Sequence, residues 1–196
     1  SGKEIKPDLP RCTYINEIAV QWSKTPGVVY LTRQSRGYQN LYIYTFDLNT
    51  EKLQTIYSES SKTNIDNFTN QFAEKSGLMF FLSEKSGWRQ LYSLDLKTLK
   101  VTSITSGEFY VNSIDRIDEE NQQIFFSASD KEKECNPYYQ HLYKVSFNGD
   151  DLKLLTQENL NHKISISPDG NYFVDNFSAI NVETTTQLRS AGTGDL

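Results

Sequence analysis

The sequence predicts an all-β fold, a partial β-propeller of about four four-stranded antiparallel blades. Three observations predict it. Similar segments recur about every 45 to 51 residues, large apolar side chains alternate with a period of two, and turn residues separate the apolar runs. Aromatic residues make up 13% of the 196 residues, which favours strands because flat side chains pack well on a pleated surface.

The repeat is clearest in a gapless match of ten residues. The segment "DLNTEKLQTI", which begins at Asp47, aligns with "DLKTLKVTSI", which begins at Asp95, 48 positions further along. Leu-Tyr pairs that begin at Leu41, Leu91 and Leu142 recur at offsets of 50 and 51. Four short strands in a unit of this length are typical of a propeller blade. A β-sandwich or meander with accidental self-similarity is the alternative.

The repeat divides the chain into an N-terminal segment, residues 1–13, and four units. Ser1-Gly2 fits a cloning remnant. The fourth unit holds three strands, and the sequence ends about where we expect its last strand. The units lie near residues 14–57, 64–105, 111–156 and 163–196.

Alternation within the units predicts which side chains form the core. Tyr42, Tyr44 and Phe46 are large and occupy every second position, so they share one face of a strand. On this basis we expect the following side chains to be largely buried: Trp22, Tyr42, Phe80, Trp88, Tyr92, Phe125, Tyr143 and Phe173.

Composition excludes several classes of partner. The formal net charge is −5 and the isoelectric point is about 5.1, which argues against binding to a phosphate backbone. No apolar run approaches the roughly 20 residues that span a bilayer.

Cys12 and Cys135 lie far apart in dissimilar contexts, so two free thiols are favoured over a disulfide.

Catalytic motifs are missing from the sequence. It contains no G-x-S-x-G elbow, H-E-x-x-H, paired C-x-x-C or P-loop, so we predict no metal site, no cofactor and no catalysis by this chain alone. The two histidines, His141 and His162, are interpreted as ordinary surface or rim residues rather than general bases.

Several motifs in order carry a family resemblance. "FLSEKSGWRQLYSLDL", which ends at Leu96, and the following "ITSGEFYV" resemble the propeller of dipeptidyl peptidase IV-type serine peptidases, the prolyl oligopeptidase group. Gln90 replaces the usual His of that motif, and Phe109 replaces the usual Trp. "YINEIAVQW", "HLYKV" and "ISISPDGNYFVDNFSA" are similar to other blades of the family, so the resemblance covers roughly residues 12–189.

The resemblance implies a function for a larger protein. This chain looks like the C-terminal half of the propeller of a serine exopeptidase that cleaves dipeptides from peptide N-termini. The propeller would gate access by size and help to position the peptide for a hydrolase domain that this chain lacks. The alternative is a stand-alone propeller that serves as a protein- or glycan-binding scaffold.

The resemblance also implies roles for residues of the blade motif. Gly87 permits the tight turn, Trp88 packs between neighbouring blades, and Arg89 sits at the blade rim. Trp22 and Tyr92 complete this structural motif.

One loop resembles the family segment that borders the substrate cavity, which assigns a cavity-lining role to Asp66, Asn67 and Phe68. An inter-blade loop without that role is the alternative. The family also binds the substrate amine through adjacent glutamates, in a setting that this chain lacks. The pair Glu119-Glu120 is therefore interpreted as a solvated hairpin tip.

Partners and location follow from the same resemblance. The expected partners are a peptide substrate and a hydrolase domain of the same polypeptide. The expected setting is the periplasm or the extracellular space, although "SGKEIKPDLP" contains no apolar signal core. We also expect the chain to self-associate through exposed end blades, whose faces would carry aromatics of the Tyr14–Trp22 and Phe173–Phe177 type.

Overall fold

The computed structural model describes residues 2, 4–9, 18–66 and 68–196. Tyr14, Cys12 and Asn67 lie outside these residues. The described chain is strand apart from loops and a short 3-10 turn, Glu74–Ser76. Its strands are β1 (Ala19–Trp22), β2 (Val28–Gln34), β3 (Asn40–Asp47), β4 (Lys52–Ser60), β5 (Thr69–Ala73), β6 (Leu78–Ser83), β7 (Gln90–Asp95), β8 (Val101–Ser103), β9 (Tyr110–Asp118), β10 (Gln123–Ser129), β11 (Gln140–Ser146), β12 (Lys153–Leu154), β13 (Asn161–Ile166), β14 (Tyr172–Ala179) and β15 (Val182–Ser190).

The strands form four successive antiparallel sheets, which confirms the predicted partial propeller. Each sheet follows chain order: β1 to β4, β5 to β8, β9 to β12, and β13 to β15. We call them the first to the fourth blade; the fourth has three strands among the described residues. None of the described residues belongs to a helix long and apolar enough to cross a membrane.

The chain divides into two compact units. The first comprises residues 1–68 and 95–100, and the second comprises 69–94 and 101–196. In the first unit, one face of the first blade forms a core of Val29, Leu31, Tyr44 and Phe46, against which Ile5 and Leu9 of the N-terminal segment also pack. The pairing of Val29 with Phe46 across β2 and β3 places these side chains on one face.

In the second unit the cores lie between consecutive blades. One cluster joins the second blade to the third: Phe80, Leu82 and Leu91 pack with Ile124 and Phe126. Another joins the third blade to the fourth and contains Phe125, Leu142, Leu155, Phe173 and Ala191. Each sheet in this unit therefore buries its apolar face on its neighbour.

The ten-residue repeat folds into the same turn twice. The Asp47 carboxylate accepts hydrogen bonds from the backbone N–H groups of Asn49 and Thr50, and Asp95 does the same for Lys97 and Thr98. Four residues after each aspartate, Glu51 and Leu99 adopt left-handed φ angles of 58° and 59°. The 48-residue repeat thus specifies a hairpin turn whose polar groups are satisfied locally.

Most of the predicted core is buried, but both tryptophans are exposed. Trp22 is 70% exposed on β1 and Trp88 is 38% exposed in the turn before β7, so the prediction that they are buried is wrong. Tyr42 is partly buried. The other predicted core residues are buried: Phe80, Tyr92, Phe125, Tyr143 and Phe173.

Candidate functional site

Arg89, and not Trp88, joins the second and third blades. Its guanidinium is buried, and Nη1 donates hydrogen bonds to the carbonyl oxygens of Val111 (3.2 Å) and Asn112 (2.7 Å) on β9. Arg89, which was expected at the rim, is therefore buried, and Trp88, which was expected to be buried, is 38% exposed. Gly87 lies in the turn before them with a φ of 97°, a conformation that favours glycine.

One pattern of hydrogen bonds occurs within both the second and the third blade, at positions that are 51 residues apart. Thr105 Oγ1 accepts the backbone N–H of Leu91, and Thr156 Oγ1 accepts that of Leu142, each at 2.9 Å. Gln90 Oε1 accepts the Thr105 hydroxyl, whereas His141 Nδ1 lies 3.0 Å from the Thr156 carbonyl oxygen. His141 is thus the structural counterpart of Gln90.

His141 is buried, and its surroundings fix its charge. Nδ1 must carry the proton, because a carbonyl oxygen can only accept. Burial lowers the pKa of His141 from its ordinary 6.5, and the nearby His162 lowers it further. The hydrogen bond to Thr156 and the charges of Glu132 and Glu158 oppose this but do not reverse it. The folded chain therefore favours the neutral ring.

This geometry predicts a loss of stability in acid that depends on His141. Because the pKa is lower in the folded chain, the unfolded chain binds more protons below the ordinary value, and stability falls as pH decreases through that range. His141→Gln, which copies Gln90, is expected to reduce the drop in melting temperature between about pH 7.5 and about pH 5.5. Thermal melts of both chains at the two pH values test this, and an unchanged pH dependence would contradict it.

The fourth blade contains a charged cluster of the buried His162, Asp175 and Arg189 and the partly exposed Glu158, which we call the blade-four cluster. His162 on β13 and Asp175 on β14 share one face of the sheet, and both side chains are buried. His162 Nδ1 lies 2.9 and 3.0 Å from the two Asp175 oxygens. His162 Nε2 lies 3.0 Å from the backbone oxygen of Glu158. Both ring nitrogens thus lie within hydrogen-bond distance of oxygen atoms.

Arg189 closes the blade-four cluster from β15. Its Nη2 donates to Glu158 Oε1 at 2.6 Å, and its Nη1 donates to the Gly194 carbonyl at 3.3 Å. Its Nε lies 3.0 Å from Asp175 Oδ2, close enough for an ion pair although not aligned for a hydrogen bond. Burial raises the pKa of Glu158, but the hydrogen bond and charge of Arg189 outweigh it, so this pKa lies below its ordinary value.

The blade-four cluster has the ligand types of a metal site, but it also contains a cationic arginine that pairs with both carboxylates. Ligand atoms of Glu158, His162 and Asp175 lie within 4.8 Å of one another, as a bound cation would require. However, the Arg189 guanidinium contacts both carboxylates, and a divalent cation would have to displace it. The cluster is best described as a largely buried ion-pair network that holds the three strands of the blade together.

The pairing of His162 with Asp175 does not form a catalytic triad. In a triad the histidine nitrogen remote from the carboxylate faces a nucleophilic hydroxyl. Here that nitrogen, Nε2, faces the backbone oxygen of Glu158. The interpretation of His141 and His162 as surface or rim residues is wrong, because both are buried.

The residues of the cavity-lining prediction occupy a loop of the first unit. Asp66 is exposed and accepts a hydrogen bond from Asn64 Nδ2 at 2.6 Å, while Phe68 is partly buried and stacks on Tyr57 with ring centroids 5.9 Å apart. Asn67 lies outside the described residues. Their cavity-lining role stays a prediction.

Glu119 is not part of a solvated tip. Its Oε2 accepts hydrogen bonds from the backbone N–H (3.0 Å) and the hydroxyl (3.3 Å) of Ser76 in the second blade, whereas Glu120 is exposed. Glu119 therefore adds one more contact between consecutive blades, and the pair is split between two environments.

Comparisons with known proteins agree on one family. The sequence model of the family described as "Dipeptidyl peptidase IV (DPP IV) N-terminal region" matches residues 3–184. Dipeptidyl peptidase 4 of Arthroderma otae is 27% identical over 106 residues, which are 52% of this chain and 13% of the relative.

Solved structures share the fold. The crystal structure of Porphyromonas gingivalis dipeptidyl peptidase 4 gives a TM-score of 0.77 at 15% identity, over 90% of this chain and 24% of that one. A structure from Bacteroides ovatus gives a TM-score of 0.76 at 15% identity, over 91% of this chain and 28% of that one. The chain thus corresponds to about a quarter of each of these proteins.

Proposed function

Because the chain belongs to the family of dipeptidyl peptidase IV N-terminal regions, we propose that it is the propeller portion of a dipeptidyl peptidase IV-like serine exopeptidase. In this role it gates access by size and helps to position peptide N-termini for a hydrolase domain of the same polypeptide. The match over residues 3–184 carries the proposal. By family resemblance, the setting is the periplasm or the extracellular space.

The joints between blades support a gating role. Arg89 and Glu119 link the second blade to the third, and apolar clusters fill the space between blades. A wall that filters substrates by size must keep its shape, and buried hydrogen bonds and cores give it that rigidity.

Assays of two proteins test this function. The purified 196-residue chain is expected to release no chromophore from Gly-Pro or Ala-Pro amides, because its sequence has no serine elbow. The product of the complete reading frame is expected to cleave them and to be blocked by a serine-directed inhibitor. A complete reading frame without a G-x-S-x-G elbow would refute the proposal and favour the stand-alone scaffold. Inhibitor-sensitive turnover by the chain alone would refute it as well.

We also propose that the isolated chain self-associates through its end blades. In the first blade, Val20 and Trp22 on β1 and Ile18 directly before it present exposed apolar surface. In the fourth blade, Leu188 on β15 is 60% exposed, and β15 pairs on one side only, with β14, among the described strands. The expected contribution of Phe173 and Phe177 is wrong, because both are buried within the second unit.

Light scattering after size exclusion tests self-association. A dimer is expected for the purified chain at micromolar concentration, and the double variant Trp22→Lys/Leu188→Lys is expected to shift it towards monomer. Tyr138→Lys, at another exposed aromatic, is the control that should leave the dimer intact. A wild-type chain that stays monomeric contradicts the proposal.

A further inference from the structure

A polar cleft lies between two hairpin turns of the second unit. One turn joins β9 to β10 and the other joins β13 to β14. The cleft has a volume of about 360 Å³, within the range of small-molecule sites. Asp118, Asn121 and Gln123 line it on one side and Asn171 and Tyr172 on the other, and we call it the inter-turn cleft. Its lining also includes the buried apolar residues Phe125 and Ala191.

Both turns hold their amide side chains in place. The Asp118 carboxylate accepts the backbone N–H of Asn121 at 3.0 Å and its Nδ2 at 2.9 Å. Asp169 accepts the backbone N–H of Asn171 at 3.1 Å and its Nδ2 at 3.0 Å. In the part of the chain that the structure describes, no donor reaches the Oδ1 atom of either asparagine. Each turn therefore presents a fixed amide oxygen that can accept a hydrogen bond, and such preorganisation lowers the entropic cost of binding.

Two other polar groups at the cleft, the Gln123 amide and the Tyr172 hydroxyl, can also form hydrogen bonds with a ligand. Within the described residues, neither the Gln123 amide nor the Tyr172 hydroxyl has a hydrogen-bond partner. Tyr172 is 52% exposed, so part of its ring faces solvent beside the two turns. An aromatic face with a negative quadrupole packs well against weakly polarised C–H groups, and the amide offers both donors and an acceptor.

The charged groups at and near the inter-turn cleft each make hydrogen bonds within the chain. Asp118 is the charged residue among the described lining residues, and three N–H donors satisfy it. Nearby, Lys144 Nζ donates to the Gly192 carbonyl at 2.8 Å and Arg116 Nη1 donates to the Ser167 carbonyl at 3.4 Å, while Arg116 Nε is buried without a hydrogen-bond partner among the described residues. A ligand would thus meet neutral amides, hydroxyls and one exposed ring.

We propose that the inter-turn cleft binds a neutral saccharide. Amide groups match the hydroxyls of a sugar as donors and acceptors, and the exposed tyrosine matches the C–H face of a pyranose ring. An anionic ligand would meet the Asp118 carboxylate in the lining, and an apolar ligand would leave the amides unpaired, which is costly. This site is separate from the peptidase role and does not depend on it.

Nuclear magnetic resonance titration of the isotope-labelled 196-residue chain tests the proposal. Glucose, galactose, mannose and N-acetylglucosamine serve as neutral probes, and inorganic phosphate serves as the anionic probe. At least one sugar is expected to shift the backbone signals of Asn121, Asn171 and Tyr172. If no sugar shifts them, or if phosphate shifts them more strongly than every sugar, the proposal is wrong.

Variants separate the cleft from general surface effects. Tyr172→Ala and Gln123→Ala are each expected to weaken the sugar at least about tenfold, the loss of one good contact. Tyr138→Ala removes an aromatic that is 87% exposed and lies outside the cleft, so it should leave the affinity unchanged. Gln123→Ala keeps the test valid if Tyr172→Ala fails to fold. Equal effects of the cleft and control variants would overturn the proposal.

Discussion

Replacing Asp175 with alanine is expected to lower the free energy of unfolding by about 3–5 kcal/mol, the usual cost of breaking a buried ion pair. The Asp175 side chain is buried and faces both His162 and Arg189, at 2.9 and 3.0 Å. Without Asp175, the buried Arg189 guanidinium retains one ion pair in the blade-four cluster, the one with Glu158. A charge without its partner in a low-dielectric site is far more costly than a lost surface bridge.

Urea denaturation measures this loss, and three further variants identify its cause: Asp169→Ala, Arg189→Met and the double variant Asp175→Ala/Arg189→Met. Asp169→Ala removes a carboxylate from an exposed turn of the same blade, so a clearly smaller loss is expected. Arg189→Met in the Asp175→Ala background removes the stranded charge, so the double variant should be less destabilised than the two single losses predict together. Additive losses, or a near-neutral Asp175→Ala, would mean that the cluster is not a coupled network.

Local patterns predicted the blades well. The Leu-Tyr pairs begin at Leu41, Leu91 and Leu142, and all three leucines are buried on the third strand of their blades. The match between the segments at Asp47 and Asp95 reproduces a turn with the same two hydrogen bonds. These features depend on a few neighbouring residues, so a sequence repeat is sufficient to specify them.

The blade-four cluster depends on register between strands, and a local pattern cannot supply that. His162 and Asp175 are 13 positions apart and meet because β13 and β14 pair with Ile164 opposite Asp175. One signal was present: in "YFVDNFS" the aspartate stands between Phe173 and Phe177 on the apolar face. A charge at a core-facing position indicates a buried partner, and His162 and Arg189 supply it from the flanking strands.

The exposure of Trp88 and the burial of Arg89 have a different cause. Trp88 lies in the turn before β7, which begins at Gln90, so strand alternation does not govern which way the indole points. The polar Arg89 is buried because carbonyl oxygens of Val111 and Asn112 on β9 accept its N–H groups. Hydrophobicity alone predicts the opposite, since it takes no account of acceptors on the next blade.

Phe80 occupies the inter-blade position that was expected of Trp88, so Phe80→Ala is expected to cost about 3–5 kcal/mol. Its ring is fully buried on β6 of the second blade and lies 4.6 Å, centroid to centroid, from Phe147 of the third. Truncation would leave a cavity between two sheets whose strands fix the backbone, and such a site can collapse only partly.

Trp88→Ala is the matched control, because it removes a larger ring from the same blade at a position that is 38% exposed. It is expected to cost about 1 kcal/mol, the typical effect of a substitution outside the core. Denaturant unfolding of both variants decides between the two residues. If Trp88→Ala lowers the free energy of unfolding as much as Phe80→Ala does, the indole packs more tightly than its exposure indicates. Trp88 would then contribute to the packing between the blades, as the sequence predicts. If both variants are near neutral, the cluster around Phe80 does not hold the blades together, and the hydrogen bonds of Arg89 and Glu119 must do so.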